Sequence, residues 1–226
     1  MDWKKLTIII PSLNEEENIG NLLNRLNSLY PGVNIIVSDD GSKDNTQEIV
    51  RKFNCAYLLD RSKKKSKGLT ASVIDAVKIV KTPYLIVMDA DLQHPPEKVG
   101  EIANKLEKYS VVVGERKKVM GEWGIFRKVI SKTAIFLGRI RLMGRVHCKD
   151  IVSGFFGAKT ESFNYFVKNR EKGFEGKGYK VLFDLLKMIK WGTKIGSVKY
   201  TFLIREKGQS KIGKMHIFIY LKSLFK

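Results

Sequence analysis

The first half of the chain alternates short apolar runs with segments of helical spacing, and that alternation constrains the fold more than any other feature. Leu6–Pro11, Asn34–Ser38, Tyr57–Leu59, Tyr84–Met88 and Ser110–Gly114 are strand-like, rich in unbroken aliphatic and β-branched residues. Strands with one wet face alternate apolar and polar residues, whereas strands buried on both faces read as continuous runs. Between them, about Glu15–Leu29, Asp44–Phe53, Leu69–Val80 and Pro96–Lys108 carry apolar residues at helical intervals. This succession predicts βαβ units around a mostly parallel sheet with helices on both faces. Asp44, with Gln47 three residues on, predicts a capping box, and Pro95-Pro96 predicts a first helical turn. After Gly114 the pattern changes to a long basic, apolar-rich stretch, then Ser153-Gly154-Phe155-Phe156, then a helix near Lys180–Lys190. That change suggests divisions at residues 1–114, 115–204 and 205–226.

In open parallel sheets, ligands bind beyond the carboxyl ends of the strands. The first apolar run ends in Pro11-Ser12-Leu13-Asn14-Glu15, the second in Asp39-Asp40-Gly41-Ser42, and the fourth in Asp89-Ala90-Asp91-Leu92-Gln93. Crowded carboxylates repel unless a cation or hydrogen-bond donors offset them. Residues two apart in extended chain project to one side, so Asp89, Asp91 and Gln93 can present three oxygen ligands together. An oxygen-only set suits Mg²⁺ or Mn²⁺, completed by phosphate and water. A DxD alone is weak, since a solvated turn is the default; its place after Tyr-Leu-Ile-Val-Met and before His94-Pro95-Pro96-Glu97 makes it strong. His94 reads first as a hydrogen-bonded loop histidine and second as a ligand.

The net charge is +19, and its placement matters. Residues 61–67, 115–149 and 203–226 carry +5, +8 and +5, leaving the rest nearly neutral. Such basic segments suit a polyanionic partner, with a solvated basic surface as the alternative. No helix-turn-helix, RRM, KH or zinc signature is present, so nucleic acid is not expected; a nucleic-acid module with an incidental acidic turn is the non-enzyme alternative. GxGxxG after the first strand, Walker A, nucleophile elbow and HExxH are likewise absent. Cys55 and Cys148 stand far apart with no CxxC, which argues against a disulfide scaffold and leans toward an intracellular setting. No stretch approaches the ~20 uncharged apolar residues that span a bilayer, and the start lacks a signal-peptide pattern.

Ile10-Pro11-Ser12-Leu13-Asn14-Glu15-Glu16-Glu17-Asn18-Ile19, Asp39-Asp40-Gly41-Ser42-Lys43-Asp44-Asn45-Thr46, Lys67-Gly68-Leu69 and Met88 through Glu97 resemble the family-2 glycosyltransferases of GT-A fold. The likeness is greatest to the polyprenyl-phosphate branch, dolichyl-phosphate mannose synthases included. It continues through Gly114-Glu115-Arg116, Arg127–Lys132, Asp150–Phe156 and Arg205–Lys211, in order over nearly the whole chain. The resemblance implies a Rossmann-like GT-A fold with a nucleotide-sugar half at 1–114, an acceptor half at 115–204 and a basic C-terminal segment.

By motif position, Pro11, Leu13, Glu15 and Asp40 would cradle the donor nucleoside. Asp89, Ala90, Asp91 and Gln93 would hold the diphosphate, with Asp89, Asp91 and Gln93 on Mn²⁺ or Mg²⁺. Lys180, Arg205 and Lys211 would clamp phosphates, and Asp89, Asp91 and Arg205 would be catalytic. The family often has an aromatic residue where Leu13 stands, and Gly41 replaces an acid found in some relatives. Without the resemblance, Leu13 serves equally as strand-end packing, Glu15 as a helix-dipole partner, Lys180 as an exposed helix lysine and Asp150 as a turn residue.

At ~100° per residue, Phe126, Val129, Ile130, Thr133, Leu137 and Ile140 share one helical face, with Lys128, Lys132 and Arg139 roughly opposite. On pattern alone this is a core-facing helix with a basic outer side; the resemblance makes it an interface helix lying on an anionic membrane surface. Arg127 and Ser131, at i and i+4, would grip the acceptor phosphate together with Arg116. The expected reaction is inverting transfer of mannose from GDP-mannose to a polyprenyl (dolichyl) phosphate, by a peripheral protein at the cytoplasmic face. A UDP-sugar donor such as UDP-glucose is the alternative.

Overall fold

The computed structural model describes residues 1–119, 125–142, 144, 146–203, 219, 223 and 224, with backbone alone for 118, 119, 125–132 and 134. Seven strands among these form one sheet: β1 (Leu6–Ser12), β2 (Asn34–Asp39), β3 (Ala56–Asp60), β4 (Tyr84–Val87), β5 (Val111–Val119), β6 (Phe156–Lys159) and β7 (Ile195–Phe202). Their order is β3-β2-β1-β4-β6-β5-β7. β6 runs antiparallel to both its neighbours, and every other pairing is parallel. Strands from both halves of the chain therefore share the sheet.

Both faces are covered, which explains the continuous apolar runs. On one face, Ile8 and Ile10 of β1, Ile86 of β4 and Val112 of β5 pack against α1 (Ile19–Leu29), α2 (Thr46–Arg51) and α4 (Val99–Lys105). On the other, Ile9, Leu85, Val87, Val111 and Val113 meet α3 (Leu69–Val77), α6 (Thr160–Asn169), α7 (Val181–Met188) and Leu142 at the end of α5 (Ile125–Leu142). Burying each such side chain is worth about 1.5–3 kcal/mol, so period-2 alternation distributes one strand between two cores. Gly157 of β6 lets α4 pack close: a Cβ there would lie 2.9 Å from the side-chain methyls of Ile102 in α4 and of Leu106 just after it.

The elements expected from sequence are present, with corrected ends. α1 begins at Ile19 rather than Glu15 because residues 14–18 turn first. Asn14 has φ 51°, and the Glu15 carbonyl accepts from the Asn18 and Ile19 N–H groups. The Asp44–Gln47 capping box does not form. Asp44 instead accepts from the Thr46 N–H at 3.0 Å, while the Gln47 amide donates to Asp39 at 2.8 Å. The segment after Pro95 opens as a 3₁₀ turn, Pro96–Lys98, before α4. β5 runs past Gly114 to Val119, because β7 supplies a parallel partner with an irregularity between Arg116 and Lys118. Among the described residues, no helix is long and apolar enough to cross a membrane.

Candidate active site

The acidic turn after β4 is held from below. Ala90 and Leu92 are buried in the core of the α1/α4 face, and Leu92 adopts φ 61°, which folds the chain back sharply. Asp91 is 4% exposed and accepts the Gln93 N–H at 3.1 Å. Asp89 is more open, with a third of its side chain exposed. His94 is buried and accepts the Asp89 backbone N–H on Nδ1 at 3.1 Å, as expected of a hydrogen-bonded loop histidine. It stacks on Phe155 at 5.2 Å, with Tyr200 and Phe202 edge-on. Burial pushes its pKa down to about 4, with Asp91 opposing and Arg116 adding to the shift. The ring is therefore neutral at pH 7, and the accepting Nδ1 places its proton on Nε2.

Across the turn lies Gly154, where a Cβ would sit 3.1 Å from Asp89 Oδ2 and 3.2 Å from the His94 ring. Its missing side chain keeps room beside the Asp89 carboxylate. Just before it, Asp150 receives a two-pronged bond from Arg116 of β5: Nε to Oδ2 at 2.6 Å and Nη2 to Oδ1 at 2.9 Å. The Arg116 guanidinium also lies 5.6 Å from the Phe202 ring centroid. Lys180, immediately before α7, donates to the Val152 carbonyl at 3.0 Å. Burial, reinforced by Arg116, lowers its pKa to about 8, while Asp150 and Asp89 pull the other way. Asp89, Asp91, Asp150, Arg116 and Lys180 thus form one mixed-charge cluster at the open edge of the sheet.

A second cluster caps β1 and β2. Pro11 is buried in β1 opposite Ser38, and Leu13, just past the strand, is 38% exposed. Glu15 is buried, taking the Asn18 amide at 3.1 Å while its N–H donates to Thr46 Oγ1 at 2.8 Å. Asp39 is wholly buried and serves the loop: Ser12 Oγ, the Gly41 and Ser42 N–H groups and the Gln47 amide all donate to it. Asp40 receives Arg61 on Oδ1 and the Gly68 N–H on Oδ2, the latter at 2.6 Å. Gly68 has φ 122°, and a Cβ there would approach the Gly176 carbonyl to 3.1 Å. The Thr70 and Ala71 N–H groups donate to Gly178 and Gly176, so the start of α3 is bonded to the loop that leads to Lys180.

Gln93 joins the two ends of the site differently from expectation. Its amide nitrogen donates to the Leu203 carbonyl at 3.0 Å, and its own carbonyl accepts the Leu203 N–H at 3.1 Å. Arg205 and Lys211 lie outside the described residues, as do the side chains of Arg127 and Ser131, whose backbone is within α5. Among the described residues, no group of three or more His, Cys, Asp or Glu side chains is spaced to hold a metal. Asp89 and Asp91 nonetheless fit a hard divalent cation of the kind that binds one or two carboxylates and completes its shell with phosphate and water. Gly154, with no side chain, leaves vacant the position a Cβ would take 3.1 Å from Asp89 Oδ2.

Sequence reasoning missed Arg61, which it counted only within a basic run, and left Asp150 undecided between turn and site. A buried arginine carries no local signature. Its only signal was position, first in the run and immediately after β3.

A mostly parallel sheet with one antiparallel strand beside the central ones, and Asp-x-Asp at the carboxyl end of β4, define a GT-A glycosyltransferase architecture. The sequence pattern of glycosyl transferase family 2 matches residues 7–166, and the chain belongs to that family. It is 36% identical over 98% of its length to a dolichol-phosphate mannosyltransferase of Pyrococcus furiosus, and spans 63% of that protein. It is 29% identical over 96% of its length to the Saccharomyces cerevisiae protein of that name, covering 85% of it. Among solved structures, mannosyl-3-phosphoglycerate synthase from Rubrobacter xylanophilus superposes with TM-score 0.70 at 17% identity, over 97% of this chain and 72% of that one. Glucosyl-3-phosphoglycerate synthase from Mycobacterium tuberculosis, in complex with Mn²⁺, UDP and phosphoglyceric acid, gives 0.68 at 19%, over 97% and 78%. These two share the fold.

Proposed function

We infer that the chain transfers mannose from GDP-mannose to a polyprenyl (dolichyl) phosphate at a membrane surface, inverting the anomeric centre. The observation that carries this reading is the Asp89–Asp91 turn at the end of β4, open beside Gly154 and ringed by Arg116, Asp150 and Lys180. In this reading residues 1–114 bind the donor, residues 115–204 bind the acceptor, and residues 205–226 add basic charge. Pro11, Leu13, Glu15 and Asp40 border the nucleoside.

A lipid phosphate monoester is ionised near neutral pH, so its oxygen attacks the anomeric carbon without a strong general base. The protein's task is then to position the two reactants and to offset charge on the departing nucleoside diphosphate. Asp89 and Asp91 would hold Mn²⁺ or Mg²⁺, which when bound neutralises diphosphate charge, and Gln93, whose amide nitrogen is held by Leu203, could add only its side-chain oxygen. Lys180 adds a cation at this edge, and by the family resemblance Arg205 and Lys211 would clamp the donor phosphates. Arg116, Arg127 and Ser131 take the acceptor phosphate. The acceptor's greasy tail would find support on α5, where Phe136, Leu137 and Ile140 are exposed, with Arg139 exposed on the helix's basic side.

The test offers the protein labelled GDP-mannose or UDP-glucose with a polyprenyl phosphate and Mn²⁺, and recovers lipid-linked sugar by organic extraction. Organic-soluble label from GDP-mannose is expected. Label from UDP-glucose alone would reassign the donor, and none from either would refute the reading.

A further inference from the structure

The basic run after β3 begins with a residue that solvent does not reach. Arg61 is 1% exposed, yet its guanidinium meets four partners on three segments. Nη1 bonds Asp40 Oδ1 and donates to Ser72 Oγ at 2.8 Å, Nε donates to Asp75 Oδ2 at 3.0 Å, and Nη2 donates to the Ser66 carbonyl at 2.7 Å. Asp75 and Ser72 belong to α3, and Ser72 Oγ in turn donates to the Gly68 carbonyl at 3.1 Å. Lys67 closes the loop by donating to the Asp40, Arg61 and Ser62 carbonyls. The result is a carboxylate–guanidinium–carboxylate triad, Asp40–Arg61–Asp75, with Lys67 3.9 Å from one acid and Lys78 3.8 Å from the other.

Buried ion pairs add little net stability once desolvation is counted. A planar guanidinium does fix geometry, because its donors diverge at set angles. Here one prong sets Asp40 Oδ1 while the Gly68 N–H sets Oδ2, so the carboxylate plane is determined from both ends. Asp75 in turn fixes the guanidinium from a half-buried position on α3.

We propose that Arg61 is a positioning residue for the sugar-nucleotide donor, oriented by Asp75 and presenting Asp40 at the rim where the nucleoside binds. The assignment rests on the donor reading given above. Asp75 borders no substrate in that reading, and asparagine preserves its shape, so Asp75→Asn isolates the orienting charge. Arg61→Lys keeps the charge and removes the fork.

The experiment titrates GDP into the full chain with Mn²⁺ by calorimetry, alongside donor and acceptor kinetics and hydrogen exchange at the Gly68 amide. Asp75→Asn is expected to fold and to bind GDP about tenfold more weakly, because asparagine can still accept from Arg61 but no longer supplies the countercharge that orients it. Donor KM rises by a similar factor, kcat and acceptor KM stay within about twofold, and the Gly68 amide exchanges faster. Arg61→Lys weakens GDP in the same way. A folded Asp75→Asn that binds GDP as the wild type does overturns the positioning role alone. Failure of both variants to fold assigns the triad to stability and also overturns it. A wild-type chain that binds no nucleoside diphosphate overturns the donor reading, and this role with it.

Discussion

Arg116 of β5 lies in a two-pronged bond on Asp150, at 2.6 and 2.9 Å, with both side chains largely buried. The pair ties β5 to the segment that leads into β6, so a residue expected to meet the acceptor phosphate is already aimed by an internal carboxylate. Burial opposes the charge on Arg116 and Asp150 restores it, and the balance raises its pKa. The acceptor phosphate would join an arginine whose fork is partly used.

Asp150→Asn removes the countercharge and leaves Arg116 buried without it. Breaking a buried pair this way costs about 3 kcal/mol. A urea melt should show that loss of stability, and an unchanged midpoint would place the pair in solvent.

Asp91→Ala should cut turnover by about 10²–10³-fold, the scale of removing a group that offsets charge in the transition state. The folded structure should persist by circular dichroism. Near-wild-type rates would refute a role for Asp91 in the reaction.

Gly154→Ala places a methyl 3.1 Å from Asp89 Oδ2 and 3.2 Å from the edge of the buried His94 ring. We expect kcat to fall by about tenfold, the order of cost of a small misplacement at a reacting centre, with a melting temperature close to wild type. Steady-state kinetics and calorimetry on the same preparation check both halves.

His94 ties stability to acid. Its folded pKa is lowered to about 4, against an ordinary value of 6.5, so between those values the unfolded chain binds the extra proton. Its contribution is fully present above pH 6.5 and is lost as pH falls toward 4, amounting to about 3 kcal/mol. Urea melts of wild type and His94→Asn over that window should show a steeper decline for the wild type. Parallel profiles would contradict a neutral buried ring.

Cys148 should resist alkylation in the folded protein. Burial, with Glu115 and Asp150 adding to it, pushes its thiol up to about 12, so at pH 8 roughly one molecule in 10⁴ carries the thiolate. Mass spectrometry after iodoacetamide at pH 8 should find Cys148 unlabelled until the chain is unfolded. Rapid native labelling would show the site open.

The sheet was legible because its strands are buried on both faces, and a run such as Leu6-Thr7-Ile8-Ile9-Ile10 has few other uses. The acidic turn was legible because chemistry and position coincide at the end of Tyr84–Val87. Helix starts were not: Glu15 and Asp44 bond across to each other's loops, Glu15 to Thr46 and Asp44 to the Glu16 N–H, contacts between residues about 30 apart in the chain. Gln93 shows the same limit. Its spacing suggests a third oxygen on one side, yet its amide nitrogen is held by Leu203, 110 residues away. Arg61 and Asp150 fall in this class too, since each takes its meaning from a partner that only the fold supplies.

The most direct measurement is diffraction from crystals soaked with GDP-mannose and Mn²⁺, recorded for anomalous scattering from manganese. A peak on the Asp89 and Asp91 carboxylates, with the donor diphosphate beside it and the nucleoside toward Asp40, is the predicted result. Manganese bound elsewhere, or a donor whose diphosphate lies away from the end of β4, would contradict it.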